Sequence, residues 1–391
     1  MKEAAVNTLE NINEKHFFES ILAHAVQHKK GVALWQNPQT NTKQILFGNT
    51  TIFNIEDIEN NHSGFVFHPY SKEENGYFIE ADFKASYNNK PTIEKDNPNE
   101  NGGINYQRIP EAIDLYYNSD VAIYCTENES FRKYVSKGVE AIKEGSFQKI
   151  VASRSKNIQL PEKFNAVETF QKLCSTYPNA FISIVSIPEA GTWMGATPEL
   201  LIEVKDDRYF KTVALAGTQK YDGKSSLSSI AWTQKEIEEQ ALVSRYIINC
   251  FKKIRLREFE ENGPKTVIAG NLLHLKTIFS VDMKTTNFPQ LGSVMLNLLH
   301  PTSAICGMPQ EKANDFISKN EGNNRAFFSG YLGPINLSNQ TSIFVNLRCM
   351  QISNKNAVFY AGAGLTEDSD PDKELEETEL KINTLLHVIN S

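Results

Sequence analysis

Two acidic residues and one lysine are spaced so that a C-terminal helix would bring them together. A helix that begins near Pro371 turns about 100° per residue, which places Glu374, Glu377 and Lys381 within roughly 60° of one another. Carboxylates without neighbouring His or Cys suit a hard cation such as Mg2+, which keeps waters and takes one or two protein oxygens. The glycine-rich turn predicted at 361–364 would let backbone N–H groups approach an anionic ligand. An ordinary solvated acidic helix is the alternative interpretation.

Glu236 and Glu239 form a second acidic pair at the start of another predicted helix. On a helical wheel both share the stripe of Val243 and Ile247, which is expected to face the core. Because charged side chains are rarely buried without a partner, this placement favours a bound cation. Acids attracted by the dipole of a first helical turn would explain one of the two equally well. Counted together, the two pairs predict a metal site.

Two further ionisable residues stand in apolar surroundings. Lys149 begins the strand-like run 149–153, and a lysine removed from solvent can act as a base. An edge-strand lysine that only prevents aggregation is the alternative. Glu199 lies between Pro198 and an apolar strand, where burial raises the pKa of a carboxyl group and suits a general acid. A glutamate at a strand entry, held by a lysine, would look the same.

Several residues are candidates for binding an anion. Gly217 and Thr218 close a predicted strand in a glycine turn, where N–H groups could hold a carboxylate. Arg348, on an otherwise apolar predicted strand, needs an anion and could bind a carboxylate bidentately. His300 lies in a Pro/Gly-rich loop of the kind that often carries function, whereas His274 is interpreted as a satisfied core or loop histidine. Together these residues describe a pocket for a small dicarboxylate.

The composition is that of a globular enzyme. The chain has 391 residues, of which 40% are hydrophobic and 22% charged, and its net charge of −7 argues against nucleic acid as a partner. No run is long and apolar enough for a membrane span, and the N-terminus has no apolar leader. The five cysteines are scattered and never in Cys-x-x-Cys spacing, which indicates a reducing compartment. We therefore expect a cytoplasmic protein.

The periodicities predict an α+β class. Helices are expected at about 14–29 and from Phe131 to Ile142, the latter closed by Gly145. Strands are expected at 31–35, 63–68, 149–153, 181–186, 200–204, 212–216, 342–348 and 357–361. Hairpin-length connections favour antiparallel sheet flanked by helices. The polar, turn-rich run 86–105 is predicted to be a flexible surface loop, and the early strands are too few for a core of their own.

Taken in order, the singled-out segments resemble the chorismate-utilizing enzymes and look most like the isochorismate synthases. The segments that carry the resemblance are 147–154, 195–199, 215–218, 235–239, 299–302, 325–333, 347–349 and 361–381. The resemblance spans about residues 128 to 388, and the first 125 residues carry none of its motifs. It implies one large α+β unit with a two-layered antiparallel β-sandwich core flanked by helices. Within it, 1–125 would be a variable N-terminal part and 126–391 the chorismate-binding catalytic region.

The resemblance also implies roles for individual residues. Lys149 matches the lysine that activates water to attack C2 of chorismate, and Glu199 matches the acid that protonates the departing C4 hydroxyl. Positions around the substrate are matched by Gly217, Thr218, His274, Arg348, Gly362, Gly364 and Lys381.

Mg2+ is the cofactor that the resemblance implies. Glu239 and one of Glu374 and Glu377 match its direct ligands. Glu236 and the remaining member of the second pair would act through bound water. The metal would neutralise and orient the ring carboxylate of the substrate.

A few positions favour one branch of the family. The aminodeoxychorismate branch has a lysine where Ala216 stands, and the anthranilate branch lacks the base lysine that matches Lys149. Water is therefore the expected nucleophile, and no glutaminase subunit is expected. The segment 299–302 looks like that of the isochorismate synthases. Departures from their pattern, which put loop geometry in doubt, are Gln240, Ser303 and Pro334.

The first hypothesis is therefore an isomerase that converts chorismate to isochorismate for menaquinone or catechol siderophore biosynthesis. The second is a salicylate synthase, which also eliminates pyruvate. A non-catalytic homologue that binds an aromatic dicarboxylate, and an ammonia-using synthase subunit, are the remaining alternatives. A small-molecule substrate is the expected partner, without nucleic acid or membrane, in a monomer or a homodimer.

Overall fold

The computed structural model describes residues 12–60, 62–96, 103–106, 115–117, 125–221, 223–224, 226–269 and 272–391. Seven α-helices lie in this part of the chain: α1 (Glu14–Gln27), α2 (Asn128–Lys143), α3 (Ala166–Thr176), α4 (Gln234–Lys253), α5 (Leu291–Leu299), α6 (Gln310–Asn320) and α7 (Pro371–Ile389). No helix among these residues is both long and apolar enough to cross a membrane.

The strands of the described residues are β1 (Gly31–Gln36), β2 (Lys43–Gly48), β3 (Thr50–Ile52), β4 (Gly64–His68), β5 (Tyr77–Glu80), β6 (Phe83–Asn88), β7 (Lys90–Lys95), β8 (Lys149–Gln159), β9 (Phe181–Ile187), β10 (Gly191–Thr197), β11 (Leu200–Lys205), β12 (Tyr209–Lys220), β13 (Glu260–Ala269), β14 (Leu272–Asp282), β15 (Gly307–Met308), β16 (Tyr331–Ile335), β17 (Gln340–Val345), β18 (Cys349–Ile352) and β19 (Asn356–Leu365). They form a ten-stranded sheet in the order β15-β8-β19-β18-β10-β9-β1-β2-β6-β7 and a nine-stranded sheet in the order β13-β14-β12-β11-β17-β16-β4-β5-β3. All of these strand pairs are antiparallel.

Aromatic side chains join the two sheets face to face. Phe181 of the ten-stranded sheet stacks on Phe344 of the other with ring centroids 4.2 Å apart, and Trp35 meets Phe65 at 5.3 Å. All four are fully buried or nearly so, in one apolar cluster between the sheets. Burial of this area supplies the main driving force for the two-layered packing. The predicted α+β class with a two-layered antiparallel sandwich is confirmed.

Helices cover the outer faces of both sheets. Helices α1, α3 and α7 pack on the ten-stranded sheet through apolar side chains such as Phe17 and Phe170. Helices α4 and α5 cover the nine-stranded sheet, with Val243 and Ile247 facing inward as the helical wheel predicts. Helix α2 packs over β8 through Phe131, and Gly145 follows it in the left-handed region, as expected for a C-terminal cap.

The first strands are built into both sheets. Strand β1 pairs with β2 and with β9, and β4 pairs with β5 and with β16. Residues 31–95 therefore contribute four strands to the ten-stranded sheet and three to the other. Their apolar side chains lie in the same clusters as those of the later strands.

The prediction of a flexible loop at 86–105 is wrong for its first half. Residues 83–95 form the β6–β7 hairpin, with Asn89 in the left-handed region at the turn. Strand β7 is the edge of its sheet, where Pro91 is tolerated because a missing N–H costs nothing there. Tyr87, Ile93 and Ile104 pack against the core, so a few apolar side chains hold this polar run to the sheet. Residues 97–102 lie outside the described residues.

Candidate active site

A cavity of about 500 Å3 lies where α4 and α7 meet the ends of β8, β12 and β19. Every site residue predicted from the sequence, except Glu374 and the loop candidate His300, lines it. These residues are Lys149, Glu199, Gly217, Thr218, Glu236, Glu239, His274, Arg348, Gly362, Gly364, Glu377 and Lys381. The fold thus brings together residues as far apart in the sequence as Lys149 and Lys381.

Lys149 reaches the cavity because of the alternation along β8. Ile150 and Ala152 enter the apolar cluster under α2, and Lys149 and Val151 face the opposite way. The residue as a whole is 4% exposed, and its Nζ donates a 2.8 Å hydrogen bond to Oε1 of Glu239. Gly364 on the neighbouring strand leaves room for it, since a Cβ there would lie 3.1 Å from Cε of Lys149.

Glu199 stands at the turn between β10 and β11, directly after Pro198, as predicted. Its backbone carbonyl accepts from the amide of Val345 at 2.9 Å, which fixes the turn against β17. Burial raises the pKa of its carboxyl group to about 7, although the charges of Lys149, Lys381 and Arg348 oppose the shift. A substantial fraction of Glu199 is therefore protonated at neutral pH, as a general acid requires.

Glu239 and Glu377 approach the cavity from two different helices. The ammonium of Lys149 lowers the pKa of Glu239 to about 2. Burial alone would raise the pKa of Glu377, but Lys381, whose Nζ lies 2.7 Å from Oε1, brings it below its ordinary value. The negative charge of Glu239 acts in the opposite direction and raises the pKa of Glu377, because the two carboxylates repel each other.

The other two predicted metal ligands, Glu236 and Glu374, have hydrogen-bond partners within the protein. Glu236 also lines the cavity, but its Oε2 accepts from the amide of Thr233 at 2.9 Å and closes a capping box at the start of α4. Glu374 is buried behind the cavity, where it bonds to Ser369 and burial raises its pKa. The residues that the structure describes contain no group of three or more His, Cys, Asp or Glu in a metal-binding arrangement.

Glu239 and Glu377 nevertheless fit a hard cation. Mg2+ needs only one or two carboxylates from the protein, because waters and an anionic ligand complete its shell. These two carboxylates come from facing helices and repel each other across one cavity, which a cation between them would relieve.

The anion-binding residues lie on the same wall, with two corrections. Arg348 is in the turn between β17 and β18, not on a strand, and its φ of 47° lies in the left-handed region. Gly217 is in a bulge within β12, where the register shifts between Ala216 and Gln219, and the strand continues to Lys220. Its φ of 66° explains the glycine. Both a bulge and a turn between strands depend on pairing with the partner strand, which the local sequence does not show.

His274 presents a hydrogen-bond acceptor at the cavity wall. Its Nδ1 lies 2.8 Å from the carbonyl of Gly217, so Nδ1 carries the proton and donates. Burial, aided by Arg348, lowers its pKa to about 4, and the ring is therefore neutral. Nε2 is buried and has no partner among the described residues. The interpretation of His274 as a satisfied histidine is wrong for this nitrogen.

The glycines before α7 belong to strand β19 rather than to a turn. Lys381 donates to the carbonyl of Gly362 at 2.7 Å, which ties α7 to this strand. His300, a loop candidate, is buried away from the cavity, with its Nε2 3.1 Å from the carbonyl oxygen of Tyr70.

Some cavity residues were not predicted. Lys235 adds a cation at the N-terminal end of α4, and Phe328 and Tyr360 provide a stacked aromatic wall with ring centroids 5.7 Å apart. Ala304 and Ile305 close the side near β8. Phe328 stands inside a segment that the sequence analysis singled out, but nothing local shows which way its ring points.

Comparisons with known proteins agree on one family. A family model described as chorismate binding enzyme matches residues 71–390. Isochorismate synthase DhbC of Bacillus subtilis is 27% identical over 275 residues, which cover 67% of this chain and 68% of that protein. Isochorismate synthase EntC of Escherichia coli is 26% identical over 267 residues, 67% of each chain. The structure of MenF, the menaquinone-specific isochorismate synthase of Escherichia coli, superposes with a TM-score of 0.78 at 19% identity, covering 97% of this chain and 92% of that one.

Proposed function

The chain belongs to the family of chorismate binding enzymes, and from this we propose that it is an isochorismate synthase, which isomerises chorismate to isochorismate. One observation carries the proposal: a buried lysine and a glutamate with a pKa of about 7 line the same cavity. These are the base and the acid that addition of water at C2 and loss of the C4 hydroxyl require. The product would serve menaquinone or catechol siderophore biosynthesis.

The cavity residues can divide the reaction between them. Arg348, Lys381 and the backbone at Gly217 would hold the two carboxylates of chorismate, so that the ring lies between Lys149 and Glu199. In its neutral amine form, Lys149 takes a proton from the water whose oxygen bonds to C2. The ring double bond shifts as the C4–oxygen bond breaks, and Glu199 gives its proton to the departing hydroxyl. One water enters and one leaves, and the proton gained by Lys149 returns to Glu199 to reset the site.

Mg2+ would be held by Glu239 and Glu377, and it would neutralise and orient the ring carboxylate. We expect Glu239→Gln and Glu377→Gln each to abolish Mg2+-dependent turnover and to weaken Mg2+ binding measured by isothermal titration calorimetry. Glu376→Gln is the matched control, because Glu376 is exposed on the same helix. Full activity of the wild type in EDTA would refute the metal assignment.

Product analysis tests the proposed function. The protein is incubated with chorismate and Mg2+, with and without ammonium, and the products are separated chromatographically. Isochorismate should be the only product, and ammonium should change nothing. Salicylate with an equal amount of pyruvate would instead identify a salicylate synthase, and anthranilate an ammonia-using enzyme. Absence of any product would favour a binding protein.

A further inference from the structure

A buried ion pair lies along the edge of β8, the strand that carries Lys149. Arg325 and Glu321 have side chains only 3% and 2% exposed. Nε of Arg325 lies 2.6 Å from Oε2 of Glu321, and Nη2 lies 2.7 Å from Oε1. Neither residue lines the cavity. Removing two charges from water is unfavourable, so a buried ion pair adds little stability unless its remaining donors and acceptors are also hydrogen-bonded.

The remaining hydrogen bonds of Arg325 and Glu321 go to backbone groups along one edge of β8. Strand β15 pairs with β8 only at Ile150 and Lys149. At the next residue a side chain supplies the hydrogen bond that a neighbouring strand would make: Nη2 of Arg325 donates to the carbonyl of Val151 at 2.7 Å. Glu321 continues the pattern, accepting from the amide of Ser153 at 2.7 Å. The ion pair thus occupies the place of a missing strand along β8.

The same guanidinium also holds the cavity wall. Nη1 of Arg325 donates to the carbonyl of Ile305 at 2.7 Å, and Ile305 lines the cavity next to Ala304. The following residue, Cys306, accepts from the amide of Val151 at 2.8 Å. The ring of Tyr70 covers the guanidinium at 4.5 Å and helps to keep water away. The guanidinium and the Val151–Cys306 backbone bond together fix the distance between the strand of Lys149 and this wall.

We propose that Arg325 and Glu321 are positioning residues for Lys149, acting as a side-chain substitute for an edge strand. The inference rests on the proposed function, in which Lys149 is the base. A base displaced by about 1 Å loses on the order of 10²-fold in rate. Arg348 and Lys381, which would bind the substrate carboxylates, make no contact with the pair, so substrate binding should change little.

The test is Arg325→Lys, which keeps the positive charge but cannot donate to Val151, Ile305 and Glu321 in one plane. We expect kcat to fall about 10- to 100-fold with KM changed less than about threefold. Hydrogen exchange at the amides of Val151 and Ser153 should become faster than in the wild type. Glu321→Gln, which keeps an acceptor for the Ser153 amide, should lose less kcat, and it replaces Arg325→Lys if that variant does not fold.

Phe170→Leu is the control for a general loss of stability, because Phe170 is buried in the cluster under α3, away from the cavity. A merely structural ion pair would give Arg325→Lys the same kcat as Phe170→Leu once both are compared at equal distance below Tm. That result, or unchanged exchange at Val151 and Ser153, would overturn the proposal. If the wild type forms no isochorismate, the proposed function fails, whereas the exchange measurement still decides whether the pair holds β8.

Discussion

Replacing Lys149 with alanine should reduce the turnover of chorismate by roughly two to four orders of magnitude, the range that a positioned base supplies. The cavity would lose the group that accepts the proton of the attacking water in the proposed mechanism. Lys149→Arg should not restore activity, because a guanidinium cannot be deprotonated in proteins. Steady-state kcat with chorismate and Mg2+ is the measurement.

Lys156→Ala provides the matched control for Lys149→Ala. Lys156 stands on the same strand, and its Nζ forms a 2.8 Å ion pair with Glu379, but it lies outside the cavity. Its loss should leave kcat near that of the wild type. Undiminished turnover in Lys149→Ala would show that another group is the base and that the chain belongs to a different branch.

Glu199→Gln should lower turnover by about 10²- to 10⁴-fold, since an amide cannot deliver a proton to the departing hydroxyl. In the wild type, the slope of log kcat/KM against pH should decrease as the pH rises through about 7, because Glu199 then loses the proton that it must donate. The residual activity of Glu199→Gln should not show this change of slope. A variant with near-wild-type kcat, or one that keeps the change of slope near pH 7, would exclude Glu199 as the acid.

The stability of Glu199→Gln shows whether a loss of activity in this variant comes from lost proton donation or from a destabilised fold. A carboxyl group with a raised pKa in the folded protein favours the folded state below its ordinary pKa, and this contribution is lost as the pH rises through about 7. Glutamine is neutral throughout and avoids that loss. Thermal melts at pH 8 should therefore show Glu199→Gln to be no less stable than the wild type, so lost activity would not reflect lost structure.

Local periodicity accounts for what the sequence could predict. The alternation along β8 predicts that Lys149 faces away from Ile150 and Ala152. The 3.6-residue period predicts that Glu239 lies on the inward face of α4. These assignments depend on residues a few positions apart. The fold class also followed, because hairpin-length turns between alternating segments leave few arrangements other than antiparallel sheets.

Pairings between distant residues account for what could not be predicted. Lys149 and Glu239 are separated by 90 residues, and no spacing rule indicates that the predicted base would bond to a predicted metal ligand. The alternative for one of the two acids at the start of α4 was attraction to the helix dipole. The 2.9 Å contact between Glu236 and the Thr233 amide instead shows a capping role that was not predicted. The bulge at Gly217 and the turn at Arg348 likewise arise from strand register, which the neighbouring residues do not encode.

Because β4 pairs with β16, this part of the nine-stranded sheet cannot form until late in the synthesis of the chain. Leu332 pairs with Phe67, and Ser63 donates to the carbonyl of Asn336, which follows it by 273 residues. At a synthesis rate of about 5–20 residues per second, β4 waits roughly 15–55 seconds for this partner. During that time Phe67 also lacks Phe327, on which its ring stacks at 4.0 Å in the folded protein. The nascent chain therefore carries an uncovered apolar edge through most of translation, the kind of surface that chaperones shield from aggregation.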